Sequence, residues 1–152
     1  MRIVLIVLAA LIAGVTAVHA DDWTAVRLRG LVFELVDGQW EQLARGDVIP
    51  DDRMIRTVSG RVTLVRGEET IELGPNTQVQ IFDQHRARPF TTVRQYFGEV
   101  AVEAEVRDVQ HFAVQTPYMV AAVKGTRFTV FSNEDSSEVR VQRGAVGVES
   151  TG

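Results

Sequence analysis

The chain has 152 residues, 45% of them hydrophobic and 24% charged, with a formal net charge of −4. A mildly acidic chain without a basic block argues against nucleic acid as a partner. It contains no cysteine, which excludes disulfides, thiol chemistry and Cys-ligated metal sites.

Residues 1–20 read MRIVLIVLAALIAGVTAVHA: one positive charge at Arg2, an unbroken apolar run from Ile3 to Ala13, and Val18-His19-Ala20 at the end. This pattern predicts a secretory signal peptide cleaved after Ala20. The alternative is an uncleaved N-terminal anchor, although the stretch from Ile3 to Val18 is short of the ~20 residues a membrane-spanning helix needs. Removing it would leave residues 21–152, one unit more acidic and of a size that suits one domain with its own core.

Trp23 to Arg29 is ambiguous between a short helix and a first strand. Asp37-Gly38, between Leu31–Val36 and Trp40–Leu43, predicts a two-residue hairpin, because glycine supplies the positive φ of a primed turn. Arg61–Val65, Thr77–Phe82, Val100–Val106 and Glu138–Gln142 alternate apolar and polar residues. Alternation places Val62, Leu64, Val79, Ile81, Val139 and Val141 on buried faces. Turn signals separate these runs at Gly46-Asp47, Ser59-Gly60, Arg66-Gly67, Gly74-Pro75-Asn76, Gly98, Asn133–Ser137 and Gly144. Arg86–Thr92 holds the longest gap, and Pro89, which has no N–H to donate, predicts a loop or an edge there. No helical periodicity is evident in residues 21–152. The expected fold is all-β: a single domain of many short, mostly antiparallel strands, arranged as a roll, sandwich, barrel or solenoid-like stack. Gly60, Gly98 and Gly144 each open a Gly-x-Val-x-apolar segment, which reads as a reused strand-and-turn pattern rather than a strict repeat.

Lys124-Gly125-Thr126 sits between two apolar stretches and raises three possibilities: a phosphate cradle, a catalytic lysine or a bend. A phosphate loop needs Gly-x-x-x-x-Gly-Lys-[Ser/Thr] opening a helix. Here the order is inverted, and strand-like Phe128–Phe131 follows. A bend fits better: Gly125 permits close backbone approach, and the Thr126 hydroxyl can hold a backbone group. Thr116-Pro117 ends the strand before it, and Tyr118–Val123, lacking alternation, predicts burial on both faces. Lys124 is the only lysine among sixteen Lys and Arg residues. It is either an ordinary surface charge or a partner contact.

No catalytic set emerges. Gly-x-Ser-x-Gly is absent, and beyond the export segment the only histidines are His85 and His111. His111 reads as a solvent-face or turn residue, His85 as a loop residue, and their separation offers no zinc pairing. Asn133–Glu138 has the oxygens of half a calcium loop but lacks the glycine at its sixth place, so it reads as a solvated hairpin. Asp51-Asp52 after Pro50 reads as a turn. No metal or cofactor is expected.

Phe112-x-Val114-x-Thr116-Pro117, the small apolar stretch to Val123, and Lys124-Gly125-Thr126-x-Phe128-x-Val130 resemble the signature of the FecR family. Val139-x-Val141-x-x-Gly144-x-Val146-x-Val148 fits its last part. The likeness is strongest over 112–148 and extends back to Leu28. Lys124 stands where the family has arginine. The resemblance implies a periplasmic binding or sensing module rather than an enzyme, acting through protein–protein or ligand recognition in envelope signalling. The alternative is a structural module that binds cell wall or glycan. It makes Thr116, Pro117, Gly125, Thr126, Phe128, Val130 and Gly144 structural signature residues. Iron-transport regulation enters through the family's best-known members only. Their sigma-factor control is not expected here, because the sequence shows no cytoplasmic segment.

Overall fold

The structure is a computed structural model that describes residues 22–84 and 87–151. The predicted signal segment and His85 lie outside the described residues. Fourteen strands follow one another in chain order. They are β1 (Trp23–Arg29), β2 (Val32–Val36), β3 (Gln39–Gln42), β4 (Val48–Ile49), β5 (Met54–Thr57), β6 (Arg61–Arg66) and β7 (Glu69–Leu73). Then come β8 (Thr77–Gln84), β9 (Phe90–Glu103), β10 (Phe112–Gln115), β11 (Met119–Val123), β12 (Arg127–Ser132), β13 (Ser137–Arg143) and β14 (Gly147–Ser150). The described residues contain no helix, so the all-β reading holds and the ambiguous Trp23–Arg29 segment is a strand.

The strands form two ladders that share β9. One runs β4-β1-β6-β7-β9-β12-β13, the other β3-β2-β5-β8-β9-β10-β11-β14. Every pairing is antiparallel except β9 with β10. The N-terminal part of β9, Phe90–Phe97, pairs with β8, and Gly98–Glu103 pairs with β7 and β12. Gly98 is the corner between them. Its φ is +103, and a Cβ there would lie 2.2 Å from Thr77 Oγ1, so only glycine fits. Just before it the register jumps, Gln78 facing Phe97 and Val79 facing Gln95, which leaves Tyr96 as the extra residue of a bulge. Buried Gln95 donates from Nε2 to the carbonyls of Gly98 (2.8 Å) and Val130 (3.1 Å) and holds the corner shut. The expected turn at Gly98 is therefore a bend inside one long strand.

Both ladders turn their apolar faces onto one core, in which Trp23, Ile55, Leu64, Ile71, Phe112 and Phe128 are fully buried. Each such side chain contributes about 1.5–3 kcal/mol relative to an exposed one. Val62, Leu64, Val79 and Ile81 are buried as their alternation predicts. Val139 is only half-buried and Val141 is exposed, because β13 is an edge strand paired with β12 alone. Asp37 and Gly38 both have positive φ, +48 and +78, as a primed hairpin turn requires.

Other expectations are corrected. Phe90–Thr92 belongs to β9, since Pro89 lies just before the ladder and removes no hydrogen bond from it. The Val100–Val106 run leaves the ladder after Glu103, and Val106 is exposed. In β11, Met119, Ala121 and Val123 are buried but Val120 and Ala122 only half-buried, so one face meets the core and the other is partly covered. Gly60 precedes β6, Gly98 lies within β9 and Gly144 bends the chain after β13, so the Gly-x-Val echo does not mark one structural unit.

Candidate functional site

The Lys124-Gly125-Thr126 stretch is a bend between β11 and β12. Gly125 does not have positive φ; it is there for space. A Cβ would lie 2.4 Å from Val106 Cα, closer than real Cβ contacts come. Segment 104–107 is stitched to the bend by Ala104 N–H to the Thr126 carbonyl (2.9 Å) and Arg107 N–H to that of Lys124 (2.7 Å). On the other side Thr126 Oγ1 donates to the Ala145 carbonyl (2.9 Å), as the sequence reading expected of this hydroxyl. Gly144, with φ +84, packs so close that a Cβ would lie 2.9 Å from the Gly125 carbonyl. Thus Gly125, Thr126 and Gly144 meet at one end of β11.

Thr116 and Pro117 stand at the other end. Thr116 is buried; its Oγ1 accepts from the N–H groups of Tyr118 (3.1 Å) and Met119 (3.2 Å) and from Ser137 Oγ (2.7 Å). Pro117 is exposed, and Phe128 and Val130 are core residues of β12. Lys124 is exposed and joins no ion pair among the described residues.

Behind the bend lies a buried charged cluster. His111 is 3% exposed, not solvent-facing. Its N–H bonds the Val123 carbonyl (3.1 Å), and its carbonyl accepts from Thr91 N–H (2.9 Å). Nε2 lies 2.6 Å from the Glu105 carbonyl and 3.1 Å from that of Lys124, and because both are acceptors it carries the proton. Nδ1 is 3.6 Å from Glu69 Oε2. Glu69, 3% exposed, accepts from Arg66 Nη2 at 2.9 Å through Oε1 and from Glu105 N–H at 3.3 Å through Oε2. Arg66 also donates from Nη1 to Asp83 (2.6 Å) and from Nη2 to Thr91 Oγ1 (2.7 Å), which itself donates to Asp83 (2.6 Å). The guanidinium stands 4.4 Å over the Trp23 ring, which meets Phe112 edge-on at 6.3 Å.

Burial pushes the Arg66 guanidinium down, but the hydrogen bonds and charges of Asp83 and Glu69 outweigh it and hold it above its ordinary value. A cavity of about 160 Å³ opens beside it, lined by Arg66, Asp83, Gln84, Pro89, Phe90, Thr91, Arg107 and His111. The arrangement joins both ladders, because β6 and β7 belong to one, β8 to the other, and β9 to both. Arg66, Glu69, Asp83 and Thr91 bond one another across these strands, so the arrangement acts as a clamp between the two ladders. Among the described residues no group of three or more His, Asp or Glu is placed to hold a metal ion.

A family model described as FecR protein matches residues 53–147. The chain belongs to the FecR family. No curated protein and no solved structure matches it. The FecR segment carries Arg66, Glu69, Asp83, Thr91, His111, the Lys124–Thr126 bend and Gly144, whereas β1 to β4 precede it. Those early strands nevertheless complete both ladders, and Trp23 supplies the ring beneath Arg66.

Proposed function

We propose that the protein is a non-enzymatic, exported binding module of the FecR family, placed in the periplasm by its N-terminal segment and acting by recognising another envelope protein in signalling. The observation that carries this reading is the FecR match over 53–147. A non-enzymatic role is supported by the clamp, where Arg66 is answered by both Asp83 and Glu69 and, among the described residues, no Ser or Cys adjoins His111. Recognition is supported by β13, an edge strand of mostly exposed residues whose free side can accept an added strand.

Affinity capture from an envelope fraction, followed by titration of the purified pair, tests it. A defined partner that binds saturably is expected. Capture of nothing above a scrambled-surface control under several growth conditions would overturn the reading, as would saturable binding to isolated peptidoglycan sacculi alone.

A further inference from the structure

At the Gly98 corner, an exposed phenylalanine ring, an open cleft and carboxylates outside any ion pair among the described residues coincide. The bulge brings consecutive residues Tyr96 and Phe97 to one cleft of about 570 Å³, whose walls include Pro75, Asn76, Asn133 and Glu134. Phe97 is 37% exposed. A second cleft of about 230 Å³ shares Pro75, Gly98, Ser132 and Asn133 with the first and continues to Phe131 and Glu138. Together they form one groove.

The second cleft shows how this surface treats a guanidinium. Arg140 stands 4.8 Å over the Phe131 ring and donates from Nε to Glu138 at 2.6 Å. The first cleft has the same two components, a ring at Phe97 and a carboxylate at Glu134, without a cation of its own. Neither Glu134 nor its neighbour Asp135 joins an ion pair among the described residues. Asn133 Oδ1 is turned to its own loop, accepting from the N–H groups of Asp135 and Ser136, both at 2.8 Å. The walls are fixed as well: Tyr96 donates its hydroxyl to Gln80 Oε1 (3.1 Å), and Tyr118 donates its hydroxyl to the Glu134 carbonyl.

We propose that this groove docks an extended segment of a partner protein that lays an arginine over Phe97 toward Glu134, with apolar neighbours against Tyr96 and Pro75. Arginine fits better than lysine, because its planar guanidinium stacks on a ring while bonding a carboxylate. The proposal rests on the binding-module reading and adds the surface and the chemistry of the partner.

The test is titration of the full-length protein with a labelled, blocked peptide alternating valine and arginine. Its twin with glutamate for arginine and a disaccharide–peptide fragment of peptidoglycan are the other probes. The arginine peptide is expected to bind saturably and to weaken with salt. Phe97→Ala, Phe97→Leu and Glu134→Gln should each weaken it about tenfold while leaving the melting temperature in place. The twin and the fragment should not compete. Absence of binding by the arginine peptide, equal binding of the glutamate twin, displacement by the peptidoglycan fragment, or unchanged affinity in Phe97→Ala would each overturn the proposal. Envelope capture separates this from the broader reading. A partner retained by Phe97→Ala removes the groove and leaves the binding module, whereas no partner for the wild type removes the module.

Discussion

Replacing Arg66 by methionine is the sharpest test of the clamp. Methionine keeps an apolar side chain of similar length and removes the guanidinium, together with its stacking over Trp23. The side chains concerned are 15% exposed at Arg66, 4% at Glu69 and 8% at Asp83. The variant strips Glu69 of its 2.9 Å donor and leaves Asp83 with the Thr91 hydroxyl. Removing one partner of a buried ion pair costs about 3–5 kcal/mol, because the remaining charge stays buried and uncompensated. Total stability for a domain of this size is on the order of 5–15 kcal/mol, so Arg66→Met removes a large share of it. At roughly 3–4 °C per kcal/mol, the melting temperature should fall by about 10–20 °C. Urea unfolding followed by tryptophan fluorescence is the assay, since Trp23 lies directly under the guanidinium. The triple variant Arg66→Met, Glu69→Gln, Asp83→Asn should recover most of the loss, because removing all the charges together leaves none unpaired. A loss under about 1 kcal/mol for the single variant, or a triple variant no more stable than the single, would refute the reasoning.

Gly125→Ala should destabilise by about 1–3 kcal/mol, because the Val106 backbone must move aside. Gly38→Ala meets nothing within 4 Å and should cost only about 1 kcal/mol, from its φ of +78 alone; comparable losses in chemical unfolding would show that Gly125 is not there for space. Gly98→Ala combines a φ of +103 with a clash against Thr77 and should cost about 3 kcal/mol or more, read in the same assay; a near-neutral result would mean that the corner can be rebuilt. Burial raises the Glu34 carboxyl above its ordinary value despite Arg53 at 3.9 Å. The folded state then holds that proton more tightly than the unfolded state, so Glu34 lowers stability at neutral pH, and the penalty fades as pH falls through the raised value toward 4.5. Glu34→Gln should therefore stabilise at pH 7 and converge with wild type in acid; equal stability of the two proteins at every pH would contradict this.

The strands were legible because alternation and turn chemistry act over a few residues. Asp37-Gly38 reads correctly from two positions, and the Thr126 hydroxyl does what its place beside a glycine bend suggests. The clamp was not legible, since it is built from pairs distant in sequence: Arg66 to Asp83 spans 17 residues and Arg66 to Thr91 spans 25. Only the turn-closing Arg66 and Glu69 pair, facing each other across the β6–β7 hairpin, left a local signal. His111 was misread because alternation fails in β10. That strand lies between β9 and β11, and His111 through Val114 are all buried. Gly98 was misread for a different reason. A glycine before an alternating run fits a turn or a bulge equally well, and only the ladder partners Thr77 and Gln78 decide between them.

The edge and the groove are parts of one surface. Ser136 and Glu138, at the far wall of the second cleft, lie at the start of β13, so a chain added along the free side of β13 begins beside the groove. A strand added there lies three spacings, about 14 Å, from β9, so the segment must leave the β13 edge at the groove to place an arginine over Phe97. Main-chain hydrogen bonds to β13 would then supply affinity with little dependence on sequence, and the ring and carboxylate at Phe97 and Glu134 would supply selectivity. The corner that carries the groove is already rigid. Gln95 ties it to Val130, the Thr116, Ser137 and Ser132 hydroxyls form a chain behind it, and Thr91, farther up the same strand, is held in the clamp. Each side chain ordered in advance spares about 0.5–1.5 kcal/mol on binding. On the proposed reading, the buried charges would serve recognition without touching a ligand, by fixing the orientation of the strand that presents Tyr96 and Phe97.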